Sequence, residues 1–177
     1  MSPPSEALWV RASRAEDAAA IAAIYGHHVV HGLATFEETP PDAAAIAARR
    51  AALVAGGYPH LVAVAAAAVV GFAYAGPYRS RPAYRFTVEN SVYVEAAGRG
   101  IGRALLGALI ARCEDAGFRQ MVAVIGDSAN AASIGLHRAL GFRRVGTLDS
   151  VGFKHGRWVD SVIMQRPLGP GGVVLPG

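Results

Sequence analysis

The chain is 177 residues long, with 53% hydrophobic and 17% charged residues, which fits one folded domain and excludes an intrinsically disordered protein. The formal net charge is +4, but the basic residues are scattered along the chain without a stripe or motif, so we expect no nucleic-acid partner. No apolar run is long enough to span a bilayer, so we expect no membrane partner either.

The first half of the chain predicts helices with recognisable start and stop signals. Ser13-Arg14-Ala15-Glu16 has the spacing of a capping box and opens a helix. Pro41 suits the first turn of a second helix, which Gly56-Gly57 ends. The polar and aromatic loop between these helices contains Phe36. The predicted elements are a strand at Leu8–Ala12, helices from Ser13 to about Val30 and from Pro41 to about Ala55, and a strand pair at His60–Ala66 and Val69–Gly76.

The second half alternates strands and helices around a glycine-rich loop. Ser128 or Asn130 caps the second helix of this half, and Gly141 closes it. The predicted elements are strands at Phe86–Val94, Gln120–Ile125, Arg143–Val151 and Arg157–Arg166, and helices at Gly102–Ala116 and from Ser128 or Asn130 to Leu140. This alternation indicates a mixed α/β sandwich over residues 1–168, followed by a flexible Gly/Pro tail at residues 169–177.

Cysteine usage and the N-terminal residues bear on the compartment. Residues 1–6 lack the basic and apolar regions of a signal peptide. The single cysteine, Cys113, lies within a predicted helix and can form no disulfide within the chain, which favours a buried structural thiol over a nucleophile. The six histidines show no metal-ligand spacing. We therefore expect a cytoplasmic protein that holds no metal.

A glycine loop between a predicted strand and a predicted helix is the most informative local feature. Gly98, Gly100 and Gly102 let backbone N–H groups converge on an anion without obstruction by a Cβ atom, and the helix N-terminus adds partial positive charge. The chain has no G-x-x-x-x-G-K-[ST] sequence, and Arg103 stands where the dinucleotide pattern needs its third glycine. The loop therefore indicates a phosphate site of another kind.

Two segments resemble the GNAT superfamily of N-acetyltransferases. Gly100 and Gly102 match the end of the [QR]-x-x-G-x-[GA] pyrophosphate segment, whereas Ala97 replaces its Gln or Arg. The segment from Asn130 to Phe142 resembles N-x-x-[AS]-x-x-[LF]-Y-x-x-x-G-F, with His137 in place of the tyrosine. Both segments occur in the family's order, with one predicted strand between them. The resemblance covers roughly Leu8 to Leu168.

This resemblance implies an enzyme with a twisted, mostly antiparallel mixed sheet that has helices on both faces. It also implies acetyl-CoA as cosubstrate and a homodimer. Asn130 corresponds to an asparagine that contacts the pantetheine arm or an ordered water, and His137 is either the acid that protonates the departing thiolate or a structural histidine. The residues implied to bind the cosubstrate are Val92, Tyr93, Val94, Gly98, Arg99, Gly100, Ile101, Gly102, Arg103 and Asn130.

Within the superfamily, the chain resembles the phosphinothricin and methionine sulfoximine N-acetyltransferases. The resemblance is carried by Gly71–Val94, Val122–Gly126 and Gly152–Trp158. Glu89 matches the family's base position and lies in an otherwise apolar strand, although a solvent-facing strand residue is the alternative. The implied substrate-binding residues are Arg79, Ser80, Arg81, Asn90, Ser91 and Phe36, the arginines because their forked donors match carboxylate and phosphinate anions.

We therefore expect an acetyltransferase that uses Glu89 as general base to acetylate the α-amine of a small amino-acid-like compound such as phosphinothricin or methionine sulfoximine. Two alternatives stay open at this point. One is a GNAT enzyme that acetylates another amine or a protein N-terminus. The other is an acyl-CoA-binding module without catalysis, against which Glu89 argues because a binding module needs no base.

Overall fold

The computed structural model describes residues 7–176, and within that range seven strands form one sheet with four α-helices packed on it. Predictions on residues 1–6 and on Gly177 lie outside the described residues. The strands are β1 (Trp9–Ala12), β2 (His60–Ala65), β3 (Ala68–Pro77), β4 (Thr87–Val94), β5 (Gln120–Gly126), β6 (Arg143–Lys154) and β7 (Arg157–Pro167), and the helices are α1 (Ala18–His31), α2 (Ala43–Ala55), α3 (Ile101–Asp115) and α4 (Ala131–Ala139).

The sheet is mixed and mostly antiparallel, as predicted. Its strand order is β1-β2-β3-β4-β5-β7-β6, and among the strand pairs of residues 7–176 only β4 and β5 run parallel. Helices α3 and α4 pack on one face through residues such as Leu105, Leu109 and Ile134. Helices α1 and α2 pack on the other face through residues such as Ile21 and Ile46. Both faces of the sheet are therefore covered by helices.

Strand β4 lies between these two layers, and its side chains alternate between them. Val88 belongs to the core cluster on the α3 side, whereas Tyr93 belongs to the cluster on the α1 side. Successive side chains of a strand point to opposite faces. Glu89 therefore shares the α1 side with Tyr93, and Asn90 shares the α3 side with Val88.

Strands β4 and β5 separate half-way along β4. Their parallel pairing runs from Thr87 opposite Gln120 to Asn90 opposite Ala123 and goes no further. Beyond that point β4 continues to pair with β3, and β5 continues to pair with β7. A gap consequently opens inside the sheet, lined on one side by a strand edge that no neighbouring strand pairs.

The start of α1 differs from the prediction. The capping box at Ser13 and Glu16 is wrong, because Asp17 makes the reciprocal contact: its carboxylate accepts the Arg14 N–H at 2.7 Å and also pairs with Arg11. Residues 15–17 form a 3-10 turn before the α-helix begins at Ala18. The hydroxyl of Ser13 instead accepts a hydrogen bond from Arg50 at 2.7 Å.

Two other helix starts are set by side-chain caps. Helix α2 begins after Asp42 and not at Pro41, because the Asp42 carboxylate accepts the Ala45 N–H at 2.8 Å. Of the two alternatives for α4, Asn130 is the cap, and its side chain accepts the Ser133 N–H at 3.1 Å. Ser128 bonds Asp160 instead.

The remaining expectations concern the thiol, the chain end and the membrane. Cys113 is fully buried in α3, and burial raises the pKa of its thiol to about 12, so the structural interpretation is confirmed. Leu168, the last residue of the predicted domain, is also fully buried and belongs to the hydrophobic core. Flexibility of residues 169–177 stays a prediction. None of the helices within residues 7–176 is long and apolar enough to cross a bilayer.

Candidate active site

A cleft of about 600 Å³ opens where β4 leaves β5. Its walls are the end of β4, the glycine loop, the N-terminal turns of α3 and α4, and the end of α1. The predicted cosubstrate residues that line it are Val92, Tyr93, Val94, Gly98, Gly100, Ile101, Gly102, Arg103 and Asn130. Arg99 is exposed and does not line the cleft. The structure thus brings together nearly all of the predicted set.

The glycine loop presents free backbone donors to this cleft. Gly98 and Gly100 have positive φ angles of 79° and 75°, a conformation that favours glycine. The first intrahelical bond of α3 joins the Ala104 N–H to the Gly100 carbonyl at 3.0 Å. The amides of Ile101, Gly102 and Arg103 therefore have no partner within the helix and lie at its positive end. This arrangement can bind a phosphate or pyrophosphate.

The gap between β4 and β5 holds a smaller cavity of about 50 Å³ that adjoins the cleft. The two cavities share Val92, Tyr93, Gly126, Asn130 and Ser133 in their walls. At the end of β4, the Val94 carbonyl accepts a hydrogen bond from His28 Nε2 at 2.9 Å. An extended molecule that entered from the cleft could form hydrogen bonds with the unpaired backbone edge of β4, as an added strand would.

His137 lies in the wall of the small cavity and is buried, with 4% of its surface exposed. Its Nδ1 lies 2.8 Å from the Ser133 carbonyl, and its Nε2 lies 3.0 Å from Asn90 Oδ1. The Asn90 amide is oriented by donating to the Val122 carbonyl at 3.2 Å. Both partners of the ring are thus acceptors, so both contacts are satisfied only when the imidazole carries two protons. Burial opposes this and lowers the pKa of His137.

Glu89 occupies the middle of β4 on the opposite face from His137. It lies between Gly76 of β3 and Val122 of β5 in the sheet register and is partly buried. Burial raises the pKa of the Glu89 carboxyl, and the positive charge of Arg79 partly offsets this effect. Glu89 thus lies one residue before the point where the strands separate and lines neither cavity, whereas His137 lines the small cavity from the other face of the sheet.

The predicted substrate residues fall into an exposed group and a buried one. Arg79, Ser80 and Arg81 are exposed in the loop after β3. The Arg79 guanidinium lies over the Tyr78 ring at 4.2 Å, and its Nη1 donates to the Tyr78 carbonyl at 2.7 Å. Asn90, by contrast, is buried, and both ends of its amide are bonded within the protein.

The remaining two predicted substrate residues lie on the Glu89 side of the sheet or next to it. Ser91 faces the same side as Glu89 and lies opposite Tyr74 of β3 in the sheet register. Phe36, in the loop after α1, is 40% exposed, and its ring lies against Gly152 of β6 and Gly126 of β5.

Sequence reasoning missed several residues that hold these groups in place. Lys154, the single lysine of the chain, donates to the Thr35 carbonyl next to Phe36 at 2.8 Å. Tyr25 bonds Thr35 from the other side at 2.8 Å. The only sequence signal is that the chain's single lysine lies in the predicted connection after Val151, which the structure shows to be the end of β6. These partners are far apart along the chain, so no local pattern connects them.

Residues 10–163 match the acetyltransferase (GNAT) domain family. The chain belongs to this family. The predicted superfamily, enzyme class and fold are therefore confirmed, and the interpretation as a non-catalytic binding module is set aside. Two features of the acetyltransferase form its candidate site: the gap between β4 and β5, and the glycine loop at the N-terminus of α3.

Proteins similar to this acetyltransferase agree with the narrower resemblance. It is 54% identical to the phosphinothricin N-acetyltransferase of Alcaligenes faecalis over 96% of this chain and 87% of that protein. It is 45% identical to the L-methionine sulfoximine/L-methionine sulfone acetyltransferase of Pseudomonas aeruginosa, over 91% of this chain and 95% of that protein. A phosphinothricin acetyltransferase of Sinorhizobium meliloti, solved in complex with AcCoA, superposes with a TM-score of 0.93 at 50% identity, covering 96% of this chain and 93% of that one.

Proposed function

We propose that the acetyltransferase transfers the acetyl group of acetyl-CoA to the α-amine of a small, anionic, amino-acid-like compound of the phosphinothricin or methionine sulfoximine class. The observation that carries this proposal is Glu89, a partly buried carboxylate one residue before β4 and β5 separate, with Arg79 near enough to act on its charge. The substrates named for the similar proteins belong to the same class. A coupled assay of thiol release with a panel of amino acids tests it.

The cleft residues fit acetyl-CoA. The free amides of Ile101, Gly102 and Arg103 would hold the pyrophosphate, with the Arg103 side chain adding positive charge. Contact between Arg99 and the cosubstrate stays a prediction, because Arg99 is exposed at the surface of the structure. The unpaired edge of β4 at Val92–Val94 would hold the pantetheine arm and stabilise negative charge on the thioester oxygen. Acetyl-CoA supplies the activated acetyl thioester, and Asn130 lies in the wall beside this edge.

The reaction requires a free amine, because a protonated amine has no lone pair. Glu89 accepts one proton from the ammonium group, directly or through water. The nitrogen then attacks the acetyl carbonyl and the C–N bond forms. The attacking nitrogen gives up its second proton to solvent as the C–S bond breaks. The leaving sulfur takes up one proton, so the products are the N-acetyl compound and free coenzyme A.

We assign proton delivery to the leaving sulfur to His137, which lies on the opposite sheet face from Glu89 and is reprotonated from solvent. Its two acceptor contacts favour a doubly protonated ring, whereas burial favours loss of one proton, so the ring is suited to release a proton. We propose that Asn90, which donates to the Val122 carbonyl and accepts from His137, orients this ring.

Acceptor recognition falls to groups on the Glu89 side. Forked donors of Arg79 and Arg81 suit a carboxylate and a phosphinate or sulfoximine group, and Ser80 and Ser91 add hydroxyl donors. The exposed face of Phe36 offers an apolar contact to the acceptor side chain.

We also propose a homodimer in the cytoplasm. An apolar stripe on the outer strands contains Phe153 and Trp158, both more than half exposed on the same face of the sheet. Three further apolar side chains of β6 are also more than half exposed, namely Val145, Val151 and, on the other face, Leu148. Phe153 and Trp158 pair across β6 and β7, with ring centroids 5.2 Å apart. Such a stripe favours burial against a second copy of the chain. The chain's single cysteine, Cys113, is buried and can form no disulfide within the chain, which fits a reducing compartment.

The first prediction concerns the phosphate site. Gly102→Glu should abolish most of the rise in melting temperature that coenzyme A produces, because its carboxylate repels the pyrophosphate at the free amides. Gly107→Glu is the matched control, since Gly107 lies on the same helix with open space around its Cβ position. Differential scanning fluorimetry measures both. Equal thermal shifts in the two variants would contradict the assignment.

The second prediction concerns the base. Glu89→Gln keeps the side-chain shape but removes its basicity, so turnover near neutral pH should fall by roughly 10² to 10⁴. The wild-type kcat/KM should drop as the pH falls through the raised pKa of Glu89, because the protonated carboxyl can accept no proton. The variant should lack this limb and recover at alkaline pH, where the amine arrives deprotonated. Glu16→Gln, at an exposed position, is the control, and wild-type turnover in Glu89→Gln would sink the assignment.

The third prediction concerns acceptor capture. Arg79→Ala and Arg81→Ala should each raise KM for phosphinothricin by roughly tenfold or more, the effect of losing a charge-assisted hydrogen bond. The Kd of acetyl-CoA should stay unchanged. Arg112→Ala removes an exposed arginine from α3 and serves as control. Unaltered KM in the double variant would make both arginines ordinary surface residues.

The fourth prediction concerns the dimer. Trp158→Asp should convert the protein to a monomer, because an unpaired carboxylate is costly in an apolar interface. Trp9→Asp makes the same change at the opposite edge of the sheet, where Trp9 is 51% exposed, and should leave the dimer intact. Sedimentation velocity reports the state. A monomeric wild type, or a dimeric Trp158→Asp variant, refutes this interface.

A further inference from the structure

Lys154 is buried although nothing in the proposed reaction uses it. It ends β6, and 2% of its surface is exposed. Its ammonium donates to the Thr35 carbonyl at 2.8 Å, and the carboxylates of Glu37 and Glu38 lie near enough to favour its charge. A buried ammonium is costly unless it is bonded. The chain therefore places its single lysine where it ties β6 to the loop after α1.

That loop is also fixed from the helix side. Thr35 is 7% exposed, and its hydroxyl donates to the Tyr25 hydroxyl at 2.8 Å. Tyr25 in turn donates to Glu37 at 3.0 Å, and Arg49 of α2 contacts the same carboxylate through both terminal nitrogens at 2.7 and 3.2 Å. The residues on both sides of Phe36 are thus held by hydrogen bonds.

Phe36 itself lies between these two anchors and against β6. A Cβ atom at Gly152 would come within 2.5 to 2.9 Å of three carbons of the Phe36 ring, so the ring lies directly on this glycine. Gly152 and Lys154 are two residues apart on one strand and therefore point to the same side. On this side of β6, Gly152 contacts the Phe36 ring and Lys154 donates to the Thr35 carbonyl. Phe36 nevertheless remains 40% exposed.

We propose that Lys154 is a positioning residue for acceptor binding, which fixes Thr35 so that Phe36 is held against Gly152 with its free face toward the acceptor. This inference rests on the proposed function for the identity of the acceptor. Lys154 contacts no reacting atom in this assignment. Its effect reaches the acceptor only through the Thr35–Phe36 backbone.

The first test is Lys154→Met, which keeps an unbranched side chain of similar length and removes the donor. KM for phosphinothricin should rise by roughly tenfold to hundredfold, the range expected when a contact residue is misplaced by about 1 Å. The Kd of acetyl-CoA should change less than twofold. Amide hydrogen exchange should accelerate in the peptide that covers residues 33–38. Arg144→Met is the matched control, because it removes an exposed cation from the same strand.

The second test moves Phe36 without touching the lysine. Gly152→Ala places a methyl group inside the space of the Phe36 ring and should raise KM for the acceptor in the same way. Gly146→Ala makes the same substitution on β6 where nothing lies within 4 Å of the new Cβ, so its KM should equal that of the wild type. Each test variant is compared with a control on the same strand, Lys154→Met with Arg144→Met and Gly152→Ala with Gly146→Ala. These comparisons distinguish displacement of the Phe36 loop from general damage to β6.

The outcomes are distinguishable from those of the proposed function. If the wild type acetylates phosphinothricin and Lys154→Met leaves KM unchanged, or lowers kcat alone, the positioning role is overturned while the proposed function stands. Unchanged hydrogen exchange at residues 33–38 in Lys154→Met likewise overturns it, whether or not the enzyme is active. If the wild type acetylates no amino acid in the panel, the proposed function fails, and with it the acceptor role given to Lys154.

Discussion

The loss of pairing between β4 and β5 after Asn90 and Ala123 is the constraint on which the site depends. A sheet normally satisfies the backbone donors and acceptors of its inner strands. Here both strands keep their outer partners and leave one inner edge of β4 free. The free donors and acceptors of this edge suit an extended molecule that can form hydrogen bonds with them. A molecule bound there would lie within the sheet, between its two faces.

Alternation along β4 then gives the two faces different chemistry. Neighbouring residues Glu89 and Asn90 point to opposite layers, so the carboxylate and the His137 contact lie on opposite faces of the sheet. In the proposed reaction, proton removal by Glu89 and proton delivery by His137 would thereby take place on opposite faces of the sheet.

The acceptor side depends on tertiary contacts of a different kind. The loop that carries Phe36 has no regular structure of its own, and its shape is set by Tyr25, Lys154 and Gly152, which belong to three distant parts of the chain. Each of these contacts satisfies a buried polar group or fills a space left by a glycine. The apolar stripe on β6 and β7 lies on the same hairpin, so the proposed dimer interface and the Phe36 loop share one structural support.

The sequence by itself determined the order of strands and helices, the glycine loop at the head of α3 and the family, because these follow from local periodicity, turn chemistry and short motifs. It misplaced the cap of α1, since Asp17 competes with Glu16 through a 3-10 turn and an ion pair to Arg11 that local spacing does not reveal. Only the tertiary structure decided that Asn90 bonds His137 and that Lys154 holds Thr35. Those partners are 47 and 119 residues apart, and contacts between distant residues depend on how the sheet and helices pack, which no local pattern encodes.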